Sequence, residues 1–320
     1  MTRKPAVCLE IEPALVAAAT GDADRATTAR VEAHARLCAP CRADFARYRA
    51  IDGTVHAWGR APAPEEEAAR AHLASRLADL RRRTLAYGIF ASPLGPILIA
   101  RSEEGVSLVE YLSGGRDFAH SRLSRVEGVE ALPDGAEIEA LYRDLLEYVD
   151  GRRTRLEWPL DLRLARSEFH RAVLEATSRI PYGAVRSYAG IAGDLGKPAA
   201  TRAVAQALRW NPLPIVVPCH RVIGASGALT GYAGDKLLLK QRLLAVEGVR
   251  AVKARRELRV PCECMYVRAP SDTAYCLPTC GWIAKQPPRQ LTRFGSRERA
   301  EAAGLAPCSE CRPDLHPISR

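Results

Sequence analysis

Long apolar runs are missing from this chain of 320 residues. No segment approaches the roughly 20 apolar residues that a membrane-spanning helix needs. The stretch from Pro13 to Ala19 is too short for a secretion signal, follows Glu10 and Glu12, and lacks a plausible cleavage context. We therefore expect a cytoplasmic protein that has no membrane partner. A convincing glycine-rich loop that would bind a separate cofactor is missing too.

Disulfide bonds are not expected, although the chain has ten cysteines. Most of these cysteines fall at spacings typical of metal sites or catalysis, and no export signal accompanies them. Metal binding and thiol chemistry are therefore the better interpretations.

Acidic residues are scarce in the C-terminal half. Residues 151–320 carry 28 Lys and Arg against 14 Asp and Glu, whereas residues 1–150 carry 19 against 23. A basic segment of this size is typical of nucleic-acid binding, because neutralising phosphates releases counterions. From charge alone, a merely soluble basic surface is the alternative.

The most informative motif is Pro218-Cys219-His220-Arg221-Val222, which directly follows an apolar run. A thiol keeps its proton until about pH 8.5, and only the thiolate is a good nucleophile. A neighbouring base that is itself held by a third group converts such a cysteine into a covalent catalyst. A cysteine next to a histidine is by itself weak evidence, since most lone cysteines are buried structural residues.

The surrounding motifs favour catalysis. Their order and spacing resemble the O6-alkylguanine-DNA alkyltransferases, which transfer an alkyl group from guanine onto their own cysteine. The resemblance covers residues 85–250 and is strongest from 167 to 248. It rests on these segments: Ile180-Pro-Tyr-Gly183, Ser187-Tyr188, Ala200-Thr-Arg202-Ala-Val204, Arg209-Trp-Asn211-Pro212, Pro218 to Val222, Gly231-Tyr232-Ala233-Gly234 and Leu243-Leu-Ala-Val-Glu247-Gly248.

The resemblance implies a role for each matching residue. Cys219 would accept the alkyl group, His220 would withdraw the thiol proton, and Glu247 would orient the imidazole. Tyr188 would donate a proton or hydrogen bond to the leaving guanine. Asn211 would stabilise the turn that carries the thiol. Tyr232 would close the pocket, with the backbone of Ala233 nearby.

The same resemblance implies a DNA partner, namely duplex DNA that contains alkylated guanine. Residues 187–195 and 199–208 read as a helix-turn-helix whose second helix is rich in alanine. Arg202 on that helix would fill the space of the extruded guanine. Three further basic residues would hold phosphates without reading sequence: Lys197, Arg186 and Arg209.

The N-terminal segment predicts a zinc site. Residues 24–37 read as a helix with His34 and Cys38 on one face, and a Cys-x2-Cys turn follows. The pattern resembles the zinc-binding anti-sigma factors, in which Cys8 would supply the upstream ligand beside His34, Cys38 and Cys41. A sigma factor is therefore a possible partner. Two packed cysteines with an incidental histidine are the structural alternative.

The C-terminal segment predicts a second zinc site from two cysteine pairs, Cys276-x3-Cys280 and Cys308-x2-Cys311. Residues 275–314 resemble the metal-binding domain of the Ada adaptive-response protein. That resemblance implies that Cys276 is also a methyl acceptor for phosphotriesters, although Leu277 replaces the usual basic residue. Cys262 and Cys264 are assigned no role.

Together these observations predict a multidomain α+β protein. A small α/β, ribonuclease-H-like subdomain would precede a helical, winged helix-turn-helix catalytic domain, with a zinc module on either side. The predicted boundaries are 1–58 for the anti-sigma-like module, 59–84 for a linker helix, 85–160 for the α/β subdomain, 161–250 for the catalytic domain and 251–320 for the Ada-like module.

Two functions fit the sequence. The first is a DNA-repair methyltransferase that acts once on each lesion and needs no separate methyl donor. The second is a regulatory sensor of alkylated DNA that acts on transcription through the N-terminal module. The intact Cys219-His220 pair favours the first, because a pure sensor does not need a nucleophile.

Overall fold

A computed structural model describes residues 6–58, 64–112, 121–134, 136–233, 236–254 and 257–318. The chain divides into two compact units, Met1–Asp79 and Leu80–Arg320. The first five residues of the predicted linker, 59–63, and Gly234 of the Gly231-to-Gly234 motif lie outside the described residues.

Helices make up the N-terminal unit: α1 (Ala6–Thr20), α2 (Arg25–Leu37), α3 (Ala39–Trp58) and α4 (Pro64–Arg83), whose last turn enters the second unit. The helix predicted over residues 24–37 is confirmed. Asp24 caps it, because its carboxylate accepts a hydrogen bond from the Thr27 amide at 2.7 Å. A small core of Ile11, Leu15 and Val31 closes around Cys8 and Cys41.

The second unit begins with a four-stranded sheet. Its strands are β1 (Thr84–Ser92), β2 (Gly95–Arg101), β3 (Val106–Tyr111) and β4 (Glu130–Pro133), in the order β3-β2-β1-β4. The β1–β2 and β2–β3 pairs are antiparallel, while β4 pairs with β1 in parallel. The helix α5 (Ala136–Val149) follows the sheet. The apolar stripe of α5, which includes Ile138 and Leu145, packs into the same core as Ile97 and Ile99.

The predicted helix-turn-helix forms close to its expected bounds. After α6 (Glu168–Ser178) and β5 (Ala184–Ser187), it consists of α7 (Tyr188–Asp194) and α8 (Thr201–Arg209). Gly196 provides the turn with a φ of 67°. The second helix begins two residues later than predicted, because residues 198–200 form a 3₁₀ turn. The strand β6 (Val222–Ile223) and the helix α9 (Leu237–Val246) complete this region.

The C-terminal segment is joined to the preceding region by a shared sheet. Its elements are β7 (Val252–Ala254), β8 (Glu257–Arg259), β9 (Tyr266–Arg268), β10 (Ala274–Tyr275), α10 (Gly281–Ala284), β11 (Thr292–Phe294), α11 (Arg297–Ala302) and β12 (Ala306–Pro307). Strand β11 pairs antiparallel with β5, which gives the order β6-β5-β11-β9. Backbone hydrogen bonds therefore cross the division predicted at residue 250, and they reach the strand that follows the Cys-His motif.

Within the described residues, no helix has both the length and the apolar character that crossing a membrane requires.

The side chain of Ser187 forms hydrogen bonds with both α7 and the C-terminal segment. Its hydroxyl oxygen accepts a hydrogen bond from the Gly190 amide at 2.9 Å and donates one to the Arg289 carbonyl at 2.6 Å. We expect Ser187→Ala to lower the free energy of unfolding by about 1–3 kcal/mol, since a cap and a partly buried bond are lost together. Urea denaturation measures this.

Ser178→Ala is the matched control. The Ser178 hydroxyl only donates to the Glu175 carbonyl on an exposed helix end, so its loss should cost less than about 0.5 kcal/mol. Equal losses for the two variants would contradict the bridging role of Ser187.

Candidate active site and metal clusters

The Cys219 sulfur lies on a loop that Asn211 holds in place. Cys219 opens a short 3₁₀ turn, Cys219–Arg221, and is 7% exposed. The side-chain amide of Asn211 donates to the Val217 carbonyl at 2.9 Å and to the Cys219 sulfur at 3.2 Å. Its carbonyl oxygen accepts from the Leu213 amide at 2.9 Å. One buried amide thus fixes both ends of the loop and the thiol itself.

The same loop contains a strained residue. Ile215 has a φ of 76°, a conformation that β-branched residues rarely adopt. Such a residue costs on the order of 1–3 kcal/mol and persists only where the surroundings impose it. Here the Val217 amide donates to the Leu213 carbonyl at 2.8 Å and closes the loop across Ile215. The surrounding structure therefore holds the cysteine in a conformation that the isolated loop would not favour.

A buried carboxylate organises the residues beside the thiol. The Nε2 of His220 lies 2.6 Å from Oε1 of Glu247, and both side chains are fully buried. The Nε of Arg221 donates to Glu247 at 2.9 Å, and the Gly183 amide donates to it at 3.0 Å. The Tyr148 hydroxyl also donates to this carboxylate. A buried charge is stable only when it is paired and fully hydrogen-bonded, and Glu247 satisfies both conditions.

The electrostatics of this group favour a carboxylate beside a neutral imidazole. Burial by itself would raise the pKa of Glu247. The contacts with His220 and Arg221 outweigh that effect and lower the pKa to about 2. Burial lowers the pKa of His220, an effect that Glu247 opposes. With its proton on Nε2 facing Glu247, His220 keeps an unprotonated Nδ1. That atom is buried and has no hydrogen-bond partner among the described residues, so it is available as a base.

Cys219 needs such a base. Burial raises the pKa of its thiol, while the Asn211 hydrogen bond and the Lys240 charge lower it. The net direction is upward, so the resting side chain is a thiol at neutral pH. Only the thiolate reacts rapidly, so its proton must be taken up by a neighbouring group.

Two tyrosines predicted from the sequence lie beside the thiol. The hydroxyl of Tyr188 donates to the Thr230 carbonyl at 3.2 Å, and burial raises its pKa, so it keeps its proton at neutral pH. The hydroxyl of Tyr232 lies 2.9 Å from that of Tyr111. Tyr111 belongs to β3, and no sequence pattern indicated that it lies here.

Lys240 is a further residue that the sequence did not single out. It is fully buried on α9, and its ammonium group donates to the carbonyls of Val222 at 2.6 Å and Thr230 at 2.9 Å. Burial lowers its pKa to about 8. Lys240 lies seven residues before Glu247, on the helix that leads to that residue. This position was the sequence signal that could have identified it.

A cavity of about 470 Å³ opens beside the thiol. Cys219 and residues of the predicted DNA-binding helix α8 both line this cavity. The predicted residues that border it are Tyr188, Arg202, Arg209, Cys219, Tyr232 and Ala233. A second cavity of about 310 Å³ also touches Cys219 and includes Asn211 and Tyr111.

Three of the predicted basic residues are exposed on one part of the surface. Arg202 and Arg209 lie on α8, and Lys197 lies in the turn before it, with its ammonium 5.2 Å from the centre of the Phe169 ring. These positions leave their charges available to an anionic partner.

Arg186 departs from the prediction. It is 8% exposed and donates to Asp194 at 2.8 Å, with Thr292 as a second partner at 3.4 Å. A side chain that is buried and paired in this way cannot reach a DNA phosphate on the α8 surface. Asp194 lies eight residues from Arg186, at the end of α7. The sequence alone does not show that these two side chains pair, and for this reason Arg186 was predicted to bind phosphate.

The N-terminal cluster brings together the four predicted ligands, Cys8, His34, Cys38 and Cys41. Their ligand atoms all lie within 4.8 Å of one another. The sulfur of Cys8 is 3.8 Å from Nε2 of His34 and 3.7 Å from the Cys38 sulfur. A tetrahedron with zinc–sulfur bonds of about 2.3 Å has edges of about 3.8 Å, so these separations suit a zinc ion.

The C-terminal cluster brings together the other four predicted ligands, Cys276, Cys280, Cys308 and Cys311, also within 4.8 Å. Cys276 is 1% exposed. The Leu277 amide donates to the Cys311 sulfur at 3.4 Å, a contact that stabilises a thiolate. Cys262 and Cys264 belong to neither cluster.

Two family models match parts of this chain. A family model described as the DNA binding domain of 6-O-methylguanine DNA methyltransferase matches residues 168–249. A second model, described as the ribonuclease-like domain of the same protein, matches residues 85–162.

Among curated proteins, the methylated-DNA–protein-cysteine methyltransferase of Methanosarcina acetivorans is 40% identical over 51% of this chain and 97% of its own length. The constitutive enzyme of the same name from Bacillus subtilis is 41% identical over 51% of this chain and 95% of its own length. A solved structure of the Mycobacterium tuberculosis O6-methylguanine methyltransferase is 38% identical, covers 51% of this chain and 92% of its own, and has a TM-score of 0.43.

Nearly the full length of these relatives is covered at about 40% identity, and the chain therefore belongs to the methylated-DNA–protein-cysteine methyltransferase family. The two matches begin at residue 85 and end at residue 249, so one cysteine cluster lies before them and the other lies after them.

The low pKa of Glu247 predicts acid sensitivity. The folded-state value, about 2, lies below the ordinary 4.5, so ionisation stabilises the fold above that ordinary value. This contribution of about 3 kcal/mol should be lost as the pH falls from 4.5 through 2. We expect Glu247→Gln to be less stable than wild type at pH 7 and to lack this loss in denaturation curves recorded between pH 7 and pH 2.

Glu257→Gln, at an exposed position, is the control and should follow the wild-type pH dependence. If Glu247→Gln ran parallel to wild type from pH 4.5 to pH 2, the buried carboxylate would not be the group that titrates.

Proposed function

We propose that this chain repairs DNA by transferring an alkyl group directly and irreversibly from O6-alkylguanine to Cys219. The observation that carries this proposal is the position of the thiol. It borders a cavity shared with Arg202 on α8, and His220, the next residue, is paired with the buried Glu247. Membership of the methyltransferase family supplies the reaction class.

Proton removal comes first in the proposed reaction. The Cys219 thiol gives its proton through a water to Nδ1 of His220, and the Glu247 carboxylate stabilises the imidazolium that forms. Arg221 and Tyr148 keep that carboxylate in place whether or not the imidazole is charged. The thiolate then attacks the alkyl carbon.

The departing guanine takes the electrons of the broken bond. The bond from the alkyl carbon to O6 breaks as the carbon–sulfur bond forms, and Tyr188 gives its proton to the guanine. The imidazolium proton then restores the tyrosine, so the net result is that the thiol proton ends on guanine. Because the thioether product is stable, each molecule acts once, and no separate methyl donor is needed.

Mass spectrometry of the intact protein tests this proposal. Incubation with an oligonucleotide that contains O6-methylguanine should add one methyl group, and peptide mapping should find it on Cys219. Cys219→Ser should gain nothing, whereas Cys264→Ser, which changes an exposed cysteine, should react like wild type. Methylation of Cys219→Ser to the wild-type extent would overturn the proposal.

Duplex DNA that contains alkylated guanine is the proposed substrate, and α8 is the proposed contact surface. The target base must leave the stack to reach the cavity. Arg202, exposed on α8 and bordering that cavity, would occupy the vacated space, and Arg209 and Lys197 would bind phosphates without reading sequence.

Arg202→Ala should separate base extrusion from chemistry. We expect the single-turnover rate on methylated duplex to fall by about 10-fold or more, since extrusion costs a few kcal/mol. The rate with the free base O6-methylguanine should change by less than about twofold, because a free base needs no unstacking. Arg250→Ala, exposed beyond α9, is the control, and an equal loss on both substrates would contradict the assignment.

Zinc is the proposed occupant of both clusters. Three thiolates with one imidazole, and four thiolates, are the donor sets of structural zinc sites. Each cluster ties distant parts of its segment together, so we propose structural roles in the two flanking modules. The function of Cys276 as a second methyl acceptor stays a prediction.

Metal analysis of the purified protein should find two zinc ions per chain. His34→Ala and Cys308→Ser should each remove one of them, and the two losses should add in the double variant. His56→Ala, which changes an exposed histidine on α3, should keep both ions. Loss of both ions in a single variant would contradict two independent sites.

The finer architecture is part of this proposal. The ribonuclease-H-like subdomain over 85–160 and the winged helix-turn-helix domain over 161–250 follow the two family matches closely. The modules over 1–58 and 251–320, the linker helix and the cytoplasmic location also stay predictions. No observation favours the regulatory alternative or a sigma-factor partner, and we do not adopt them.

A further inference from the structure

The largest of the described cavities lies away from the thiol. It measures about 590 Å³ and is lined by residues 154–157, the end of α6, the loop before Cys219 and the C-terminal segment. Its charge is strongly one-sided, because a single carboxylate, that of Glu157, faces five arginines. Those arginines are Arg155, Arg179, Arg221, Arg268 and Arg299.

Only one of these arginines is neutralised. Arg221 is paired with Glu247. In the part of the chain that the structure describes, the other four form no ion pair with a carboxylate. Arg155 and Arg179 are exposed, whereas Arg268 and Arg299 are half-buried. Like charges gathered along a partly buried groove repel one another, so an anion that binds there is favoured.

Arg268 and Arg299 are held toward the cavity by the protein. The Nε of Arg268 is buried and has no hydrogen-bond partner within the described residues. Burial and the nearby Arg186 charge lower the pKa of Arg268, an effect that Asp194 and Asp272 partly oppose. Arg299 lies over the Tyr182 ring at 4.5 Å, and Gly183 makes room for it, since a Cβ there would be 2.7 Å from Cγ of Arg299.

A second cavity of about 320 Å³ continues the first. The two share Arg179, Ile180, Pro181 and Arg268. The second also contains Arg186, whose terminal nitrogen binds Asp194 and whose buried Nε has no partner in the part of the chain that the structure describes. Glu175 and Asp194 also line this part. Among the described residues, two guanidinium nitrogens along this groove are thus buried without a hydrogen-bond partner.

We propose that this arginine groove is a binding site for a phosphate group, formed where the catalytic region meets the C-terminal segment. Guanidinium groups match the oxygens of phosphate in pairs, and four unpaired ones exceed what a single carboxylate ligand needs. The phosphate can belong to a DNA backbone or to a small phosphate compound. The site goes beyond the alkyl transfer proposed above and does not depend on it.

Arg179→Gln/Arg268→Gln in the full chain tests the groove. Titration calorimetry with inorganic phosphate should show one site in wild type, weakened by about 10-fold or more in the double variant, since two charged hydrogen bonds are lost. Arg155→Gln, at an exposed lining position where misfolding is not expected, should weaken phosphate binding in the same direction. Arg171→Gln, exposed elsewhere on α6, should stay within about twofold of wild type.

Binding of undamaged duplex, measured by fluorescence anisotropy across salt concentrations, distinguishes the two sources. If DNA supplies the phosphate, the double variant should bind duplex more weakly, with a salt slope reduced by about one or two. If a small compound supplies it, phosphate binding should be lost while duplex affinity is unchanged. The proposal is overturned if the double variant keeps both affinities within twofold of wild type, or if Arg171→Gln loses as much.

Discussion

The buried carboxylate of Glu247 is the constraint on which the candidate active site depends. It lies at the end of α9 and receives hydrogen bonds from His220, Arg221, Tyr148 and Gly183. An unpaired carboxylate in this position would cost several kcal/mol, so the partners must be present for the region to fold. Folding of this region and the positioning of His220, the proposed base, therefore depend on the same contacts.

The loop that carries the thiol is held equally firmly. Asn211 bonds to the loop at three points, and Ile215 keeps an unfavourable backbone conformation within it. Lys240 fixes the carbonyls of Val222 and Thr230 on the far side of the motif. A nucleophile that acts once cannot be renewed, so its orientation must be prepared before the substrate arrives.

The contiguous parts of the site could be predicted from the sequence. The cysteine, its histidine and the spaced metal ligands are set by local order. The partners from afar could not be predicted. Tyr148 is 99 residues from Glu247 and Tyr111 is 121 residues from Tyr232, and nothing in a linear pattern joins them. The prediction that Arg186 binds phosphate failed to account for its burial for the same reason, because that burial depends on Asp194 and on β11. The pairing of β11 with β5 is likewise a tertiary contact between short, unremarkable segments.

The tautomer of His220 decides whether its Nδ1 can accept the thiol proton. Nitrogen-15 NMR of the histidine-labelled full chain at pH 7, with the His220 signals assigned by their loss in His220→Asn, reports the protonation of each ring nitrogen. We expect a neutral ring with the proton on Nε2 and an unprotonated Nδ1. A ring that carries its proton on Nδ1, or on both nitrogens at rest, would contradict it, because no base would then be available to the thiol.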